Sequence, residues 1–62
     1  MYLWICERNH NYERAVLFIS ADTEDEARQF ANESVKWVDY IEMIPGVKVT
    51  GNRGVLNESY YD

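Results

Sequence analysis

Ala21-Asp22-Thr23-Glu24-Asp25-Glu26-Ala27-Arg28-Gln29-Phe30-Ala31-Asn32-Glu33-Ser34-Val35-Lys36-Trp37-Val38 is the stretch on which the fold turns. Thr23 reads as an N-cap. Glu26, three residues on, gives Thr23-Glu24-Asp25-Glu26 the form of a capping box, in which each side chain satisfies an otherwise unpaired amide of the first turn. The acidic first turn also complements the positive end of the helix dipole. Ala27, Phe30, Ala31, Ser34, Val35 and Val38 then recur at three- and four-residue spacing, which predicts a helix with one apolar face. That face requires a sheet to lie on.

On the N-terminal side, Tyr2-Leu3-Trp4-Ile5-Cys6-Glu7-Arg8 suits a pleated surface and runs into the turn-prone Asn9-His10-Asn11. Glu13-Arg14-Ala15-Val16-Leu17-Phe18-Ile19-Ser20 resumes the same composition, the pattern of an antiparallel hairpin. Neither strand alternates cleanly between apolar and polar residues, so both faces read as apolar. On the C-terminal side, Trp37, Val38, Tyr40, Ile41, Met43 and Ile44 are compatible with a helix continued to Pro45-Gly46, but their bulk and composition favour a strand from about Val38 to Ile44. Pro45-Gly46 then predicts a turn and Val47-Lys48-Val49-Thr50 a short edge strand. Gly51-Asn52-Arg53-Gly54 predicts a second turn, leading to a loose segment at Val55-Leu56.

The expected architecture is α+β: a β-hairpin, one helix and one or two further strands in the order ββαβ(β), with the helix packed on one face of a small antiparallel sheet. Residues 1–56 form the single domain, and 57–62 a flexible acidic tail. Leu3, Ile5, Leu17, Ile19, Ala27, Phe30, Ala31, Val35 and Ile41 are the expected core.

At 62 residues the chain is near the lower limit for a stable core, since a domain of this size buries only about 60% of the surface its unfolded chain exposes. A composition 47% hydrophobic and 15% aromatic excludes a disordered tail. The single cysteine, Cys6, leaves no internal disulfide and points to a reducing cytoplasm. There is no apolar run long enough to span a membrane, and no basic region precedes the apolar N-terminal stretch, so neither membrane span nor signal peptide is expected. The net charge of −5 is concentrated: Asp22, Glu24, Asp25, Glu26, Glu33, Asp39 and Glu42 face only Arg28 and Lys36 in the same region, while the rest of the chain is balanced. Such a surface repels nucleic-acid phosphates, and direct nucleic-acid binding is not expected.

No residue set carries catalytic or metal chemistry. Cys6 and His10 stand four apart, but a structural zinc site wants four Cys or His ligands and the chain has two such residues. The same pair lies in a strand and a hairpin loop, which does not place a nucleophile against a base in a cleft. Gly51-Asn52-Arg53-Gly54 lacks both the following helix of a dinucleotide fingerprint and the Lys-Ser/Thr ending of a P-loop. No enzymatic activity, cofactor or metal is expected.

Two surfaces remain. One is the acidic set just named. The other is aromatic: nine rings exceed what one helix on a small sheet covers, and aromatic side chains are enriched at interface cores. Tyr2, Trp4 and Phe18 are the expected partner- or dimer-binding face, and burying them against a second copy predicts a homodimer.

Trp4 and Glu7 in the first strand, the helix start Ala21-Asp22-Thr23-Glu24-Asp25-Glu26-Ala27, and Pro45-Gly46-Val47-Lys48-Val49 before a late strand together resemble the T7-type phage inhibitor of bacterial RNA polymerase. In size, acidity and lack of motifs the chain is also similar to anti-CRISPR and other anti-defence proteins of bacteriophages. These resemblances imply a non-enzymatic inhibitor acting in the bacterial cytoplasm on a host nucleic-acid-handling protein, most simply a defence protein, with RNA polymerase as the alternative target. A small regulatory or structural subunit is the competing expectation.

Overall fold

The structure is a computed structural model that describes residues 1–10 and 13–61, with His10 and Tyr61 described by their backbone alone. Asn11 of the expected turn, the aromatic Tyr12 and the final Asp62 lie outside the described residues. Among those described, the chain forms β1 (Tyr2–His10), β2 (Glu13–Ala21), α1 (Glu24–Val35), β3 (Tyr40–Lys48) and β4 (Gly54–Tyr61). It is an α+β fold. The four strands make one antiparallel sheet in the order β3-β1-β2-β4, and α1 crosses one of its faces.

The helix begins as its sequence requires. Thr23 holds extended backbone angles, its hydroxyl accepts the Glu26 N–H at 3.2 Å, and the Glu26 carboxylate accepts the Asp22 N–H at 3.1 Å. The return bond therefore reaches one residue further back than in a standard capping box. At the other end Lys36 takes φ 72° and ψ −47°, and the Trp37 N–H reaches back to the Val35 carbonyl at 2.9 Å, a γ-turn that stops the helix. Continuation to Pro45 is thereby ruled out. The last turn of α1 holds no basic residue. Arg8 supplies the missing charge from β1: its Nη1 donates to the Val35 carbonyl at 2.8 Å, and its guanidinium lies 5.7 Å from the centre of the Trp37 ring.

The core lies between α1 and the sheet. It comprises Trp4 and Cys6 of β1, Ala15, Leu17, Ile19 and Ala21 of β2, Ala27, Ala31 and Val35 of α1, and Val38, with Phe30, Ile41 and Val55 packed against them. The expectation of Leu3 and Ile5 as core is corrected. Every β1–β2 pair joins an even-numbered residue to an odd-numbered one, as in Trp4↔Ile19 and Cys6↔Leu17. Once Leu17 and Ile19 face the helix, the pleat sends Trp4 and Cys6 to the same side and Leu3 and Ile5 to the other. Ala15, Ala21, Ala27 and Ala31 keep this layer thin, and the indole N–H of Trp4 donates to the Ala21 carbonyl at 3.0 Å.

The C-terminal third is more regular than its sequence suggests. Pro45-Gly46 does not divide two strands. It sits in an irregularity of β3, between Met43, opposite Trp4, and Lys48, opposite Tyr2, with Gly46 at φ 77°. Because β3 is an edge strand, the missing proline N–H breaks no ladder bond on the outer side. Residues 57–61 are not a tail: they belong to β4 and pair with β2 from Phe18 to Arg14. Leu56 is the extra residue of a bulge, between Val55 opposite Ile19 and Asn57 opposite Phe18.

Candidate protein-docking face

The pleat that buries Trp4 and Cys6 leaves Leu3, Ile5, Val16 and Phe18 on the sheet face away from the helix, each half-buried by its neighbours alone. Ile5 lies directly opposite Phe18, so the four side chains form one apolar stripe over the two central strands. Acidic charge borders it on the β3 side, and Arg14 of β2, donating to the Asn9 side-chain oxygen at 3.0 Å, stands at one end. Glu42 of β3 is opposite Ile5, and Glu7 of β1 stands between Val16 and Tyr40. The Tyr40 hydroxyl donates to the Glu42 carboxylate, which raises the Tyr40 pKa. Neither Glu7 nor Glu42 has an ion-pair partner among the described residues. On the β4 side the stripe meets Asn57 and Ser59, and beyond its far end the Ser20 hydroxyl is buried, donating to the Met1 sulfur at 3.4 Å.

The expected aromatic face is not one surface. Trp4 is core, only 8% exposed, and Tyr2 points to the helix side beside it, whereas Phe18 lies on the open face. A sequence reading places the three together because both strand faces are apolar and nothing in composition fixes which way β1 pleats.

The expected acidic face divides likewise. Asp22 and Glu26 are engaged by Arg53, at 2.5 and 2.7 Å, which ties the β3–β4 connection to the start of the helix. Glu24 pairs with Arg28 at 3.9 Å within the helix. Asp39 accepts the Asn9 N–H at 2.6 Å, and its own N–H donates to the Glu7 carbonyl, so it extends the β1 edge. Asp22, Glu26 and Asp39 thus join separate segments of the fold, while the exposed Glu24–Arg28 pair lies within the helix. Asp25 and Glu33 have no ion pair or hydrogen bond among the described residues and line the outer face of α1, about 12 Å apart at 1.5 Å per residue. Glu42 is on the opposite side of the sheet from all the helix acids. Glu7, outside the expected set, is the acid that joins it there, and only the strand register reveals that.

Among the described residues no group of three or more His, Cys, Asp or Glu is placed to hold a metal ion, and no helix is long and apolar enough to cross a membrane. Cys6 is fully buried, and burial pushes its thiol from an ordinary 9.0 to about 11, partly offset by the charge of Arg28. The chain matches no family model, no curated protein and no solved structure.

Proposed function

We propose that this chain is a non-enzymatic inhibitor that works by occupying a surface of a bacterial nucleic-acid-handling protein, a host defence protein or the RNA polymerase, in the bacterial cytoplasm. The observation that carries the reading is the open sheet face. Leu3, Ile5, Val16 and Phe18 are an apolar centre bordered by two carboxylates without counter-ions among the described residues, Glu7 and Glu42. An apolar centre gives affinity, and a charged rim gives rate and choice of partner. The partner this face fits is a protein surface with apolar side chains flanked by lysine or arginine, which is the character of surfaces that handle phosphate backbones. The phage assignment rests on the resemblance and on the net charge of −5.

A comparison of two charge reversals tests which acids recognise the partner. The protein captured from bacterial lysate by the immobilised chain is expected to be a basic, nucleic-acid-binding protein. Its affinity should fall at least about tenfold when Glu7 and Glu42 are changed to Lys, and should fall with added salt. Reversing Asp25 and Glu33 instead should leave affinity within about threefold, because those acids are on the far side of the sheet. The opposite ranking would move recognition to the helix.

A further inference from the structure

The two edges of the sheet are built differently. β3 carries Pro45, Gly46 at a positive φ and a broken register, all of which discourage another strand from pairing there. In β4 the irregular features, Gly54 at φ 121° and the Leu56 bulge, are confined to its first three residues: from Asn57 to Tyr61 it is regularly paired to β2 on one side, with no proline and no lysine. On its other side no strand pairs with it among the described residues. The two most exposed large apolar side chains among the described residues are on this strand, Leu56 at 51% and Tyr60 at 59%.

We infer that β4 is a self-association edge, and that two copies of this chain join there antiparallel about Ser59 to form a continuous eight-stranded sheet. Charge favours a second copy at this place and not on the open face. Face-to-face packing would bury Glu7 and Glu42 of both copies, four carboxylates against the two Arg14 guanidinium groups at the end of the face, which are already held by Asn9, at a desolvation cost the β4 edge does not carry. On β4 the single formal charge is Glu58, and its carboxylate is already turned to its own chain, accepting from the Tyr60 hydroxyl at 2.8 Å and from Ser34. The acid excess lies between Asp22 and Glu42, on other elements.

Register follows from the same residues. Pairing about Glu58 would oppose two carboxylates, and pairing about Asn57 would run across the Leu56 bulge. Pairing about Ser59 sets small side chains against each other on the two-fold axis and places Tyr60 of each copy opposite Glu58 of the other. The strand is then self-complementary, and the symmetry closes at two copies. It also adds burial to a core whose largest fully buried side chains are Leu17, Ile19, Cys6 and Ser20, little for a folded domain. The open docking faces stay free on the joined sheet.

Sedimentation and cysteine cross-linking test this without reference to any partner protein. The chain should sediment at twice 7.4 kDa in the high micromolar range. Ser59→Lys, which opposes two ammonium groups across the axis, should weaken association at least about tenfold while leaving the circular dichroism spectrum intact. Ser59→Cys under mild oxidation with oxidised glutathione should give a disulfide-linked pair at least about tenfold faster than Leu56→Cys, since facing residues of antiparallel strands stand within disulfide reach. Native Cys6 is buried and does not compete. A monomer at high micromolar concentration, or equal cross-linking of the two cysteine variants, would overturn the inference. So would a dimer that survives Ser59→Lys but is split by Phe18→Thr, since that pattern belongs to face-to-face packing.

Discussion

Trp4→Ala is expected to unfold most of the chain, not merely to weaken a binding surface. Trp4 is 8% exposed beneath α1 and its indole N–H satisfies the Ala21 carbonyl. Truncating a buried tryptophan costs about 3–5 kcal/mol, and leaving a buried carbonyl unpaired adds to it. A 62-residue domain has only about 3–9 kcal/mol of stability in total. Thermal unfolding by circular dichroism measures this directly: the variant should lose its cooperative transition or melt far below the wild type. Trp4→Phe should fall between the two, keeping much of the packing and losing the hydrogen bond. A Trp4→Ala variant as stable as the wild type would place the indole on the surface.

Phe18→Thr is expected to show the reverse pattern, a large loss of binding on an intact fold. Phe18 is half-buried at the centre of the open face, opposite Ile5, and threonine, being β-branched, also suits a strand. The stability cost should be about 1 kcal/mol or less, from the lost cross-strand pair. Removing a central aromatic anchor from an interface costs 2 kcal/mol or more, so affinity for the captured partner should drop at least about thirtyfold. Titration against that partner, with circular dichroism as the control, separates the effects. Unchanged affinity with unchanged fold would remove the open face from recognition.

The helix was the most legible part of the sequence, because its signals are local: Thr23 and Glu26 start it, and Ala27, Ala31 and Val35 repeat at its own period. The α+β class followed from it. The pleat of β1 is not legible, since Leu3 and Ile5 are as apolar as Trp4 and Cys6, and the choice between them appears only in the register with β2. That one-residue phase misplaced Trp4 and concealed Glu7. Lys36 gives no sign in the sequence that it ends the helix, because the γ-turn places at positive φ a residue that is neither glycine nor asparagine. The role of Arg8 was hidden for another reason: it caps the helix from 27 residues away in sequence. The acidic excess was visible as composition, but Arg53, drawing Asp22 and Glu26 into the fold, shows that composition does not distinguish a structural carboxylate from a free one.

Whether the Trp4–Cys6 side of β1 is core and the Leu3–Ile5 side is free to dock is the point on which the functional reading depends, and the lone thiol reports on it. Cys6 is fully buried and its folded pKa is raised from 9.0 to about 11. A raised pKa means that the folded state is favoured below pH 9 and progressively loses that contribution as pH rises from 9 to about 11, where only the unfolded thiol ionises. The measurement is the rate of Cys6 alkylation by iodoacetamide at pH 8, with and without denaturant. The native chain should react at least about a hundredfold more slowly than the unfolded one, with labelling accelerating above pH 9 as unfolding is drawn on. Native labelling at the rate of a free thiol would contradict it, placing Cys6 on the open face and Leu3 and Ile5 in the core.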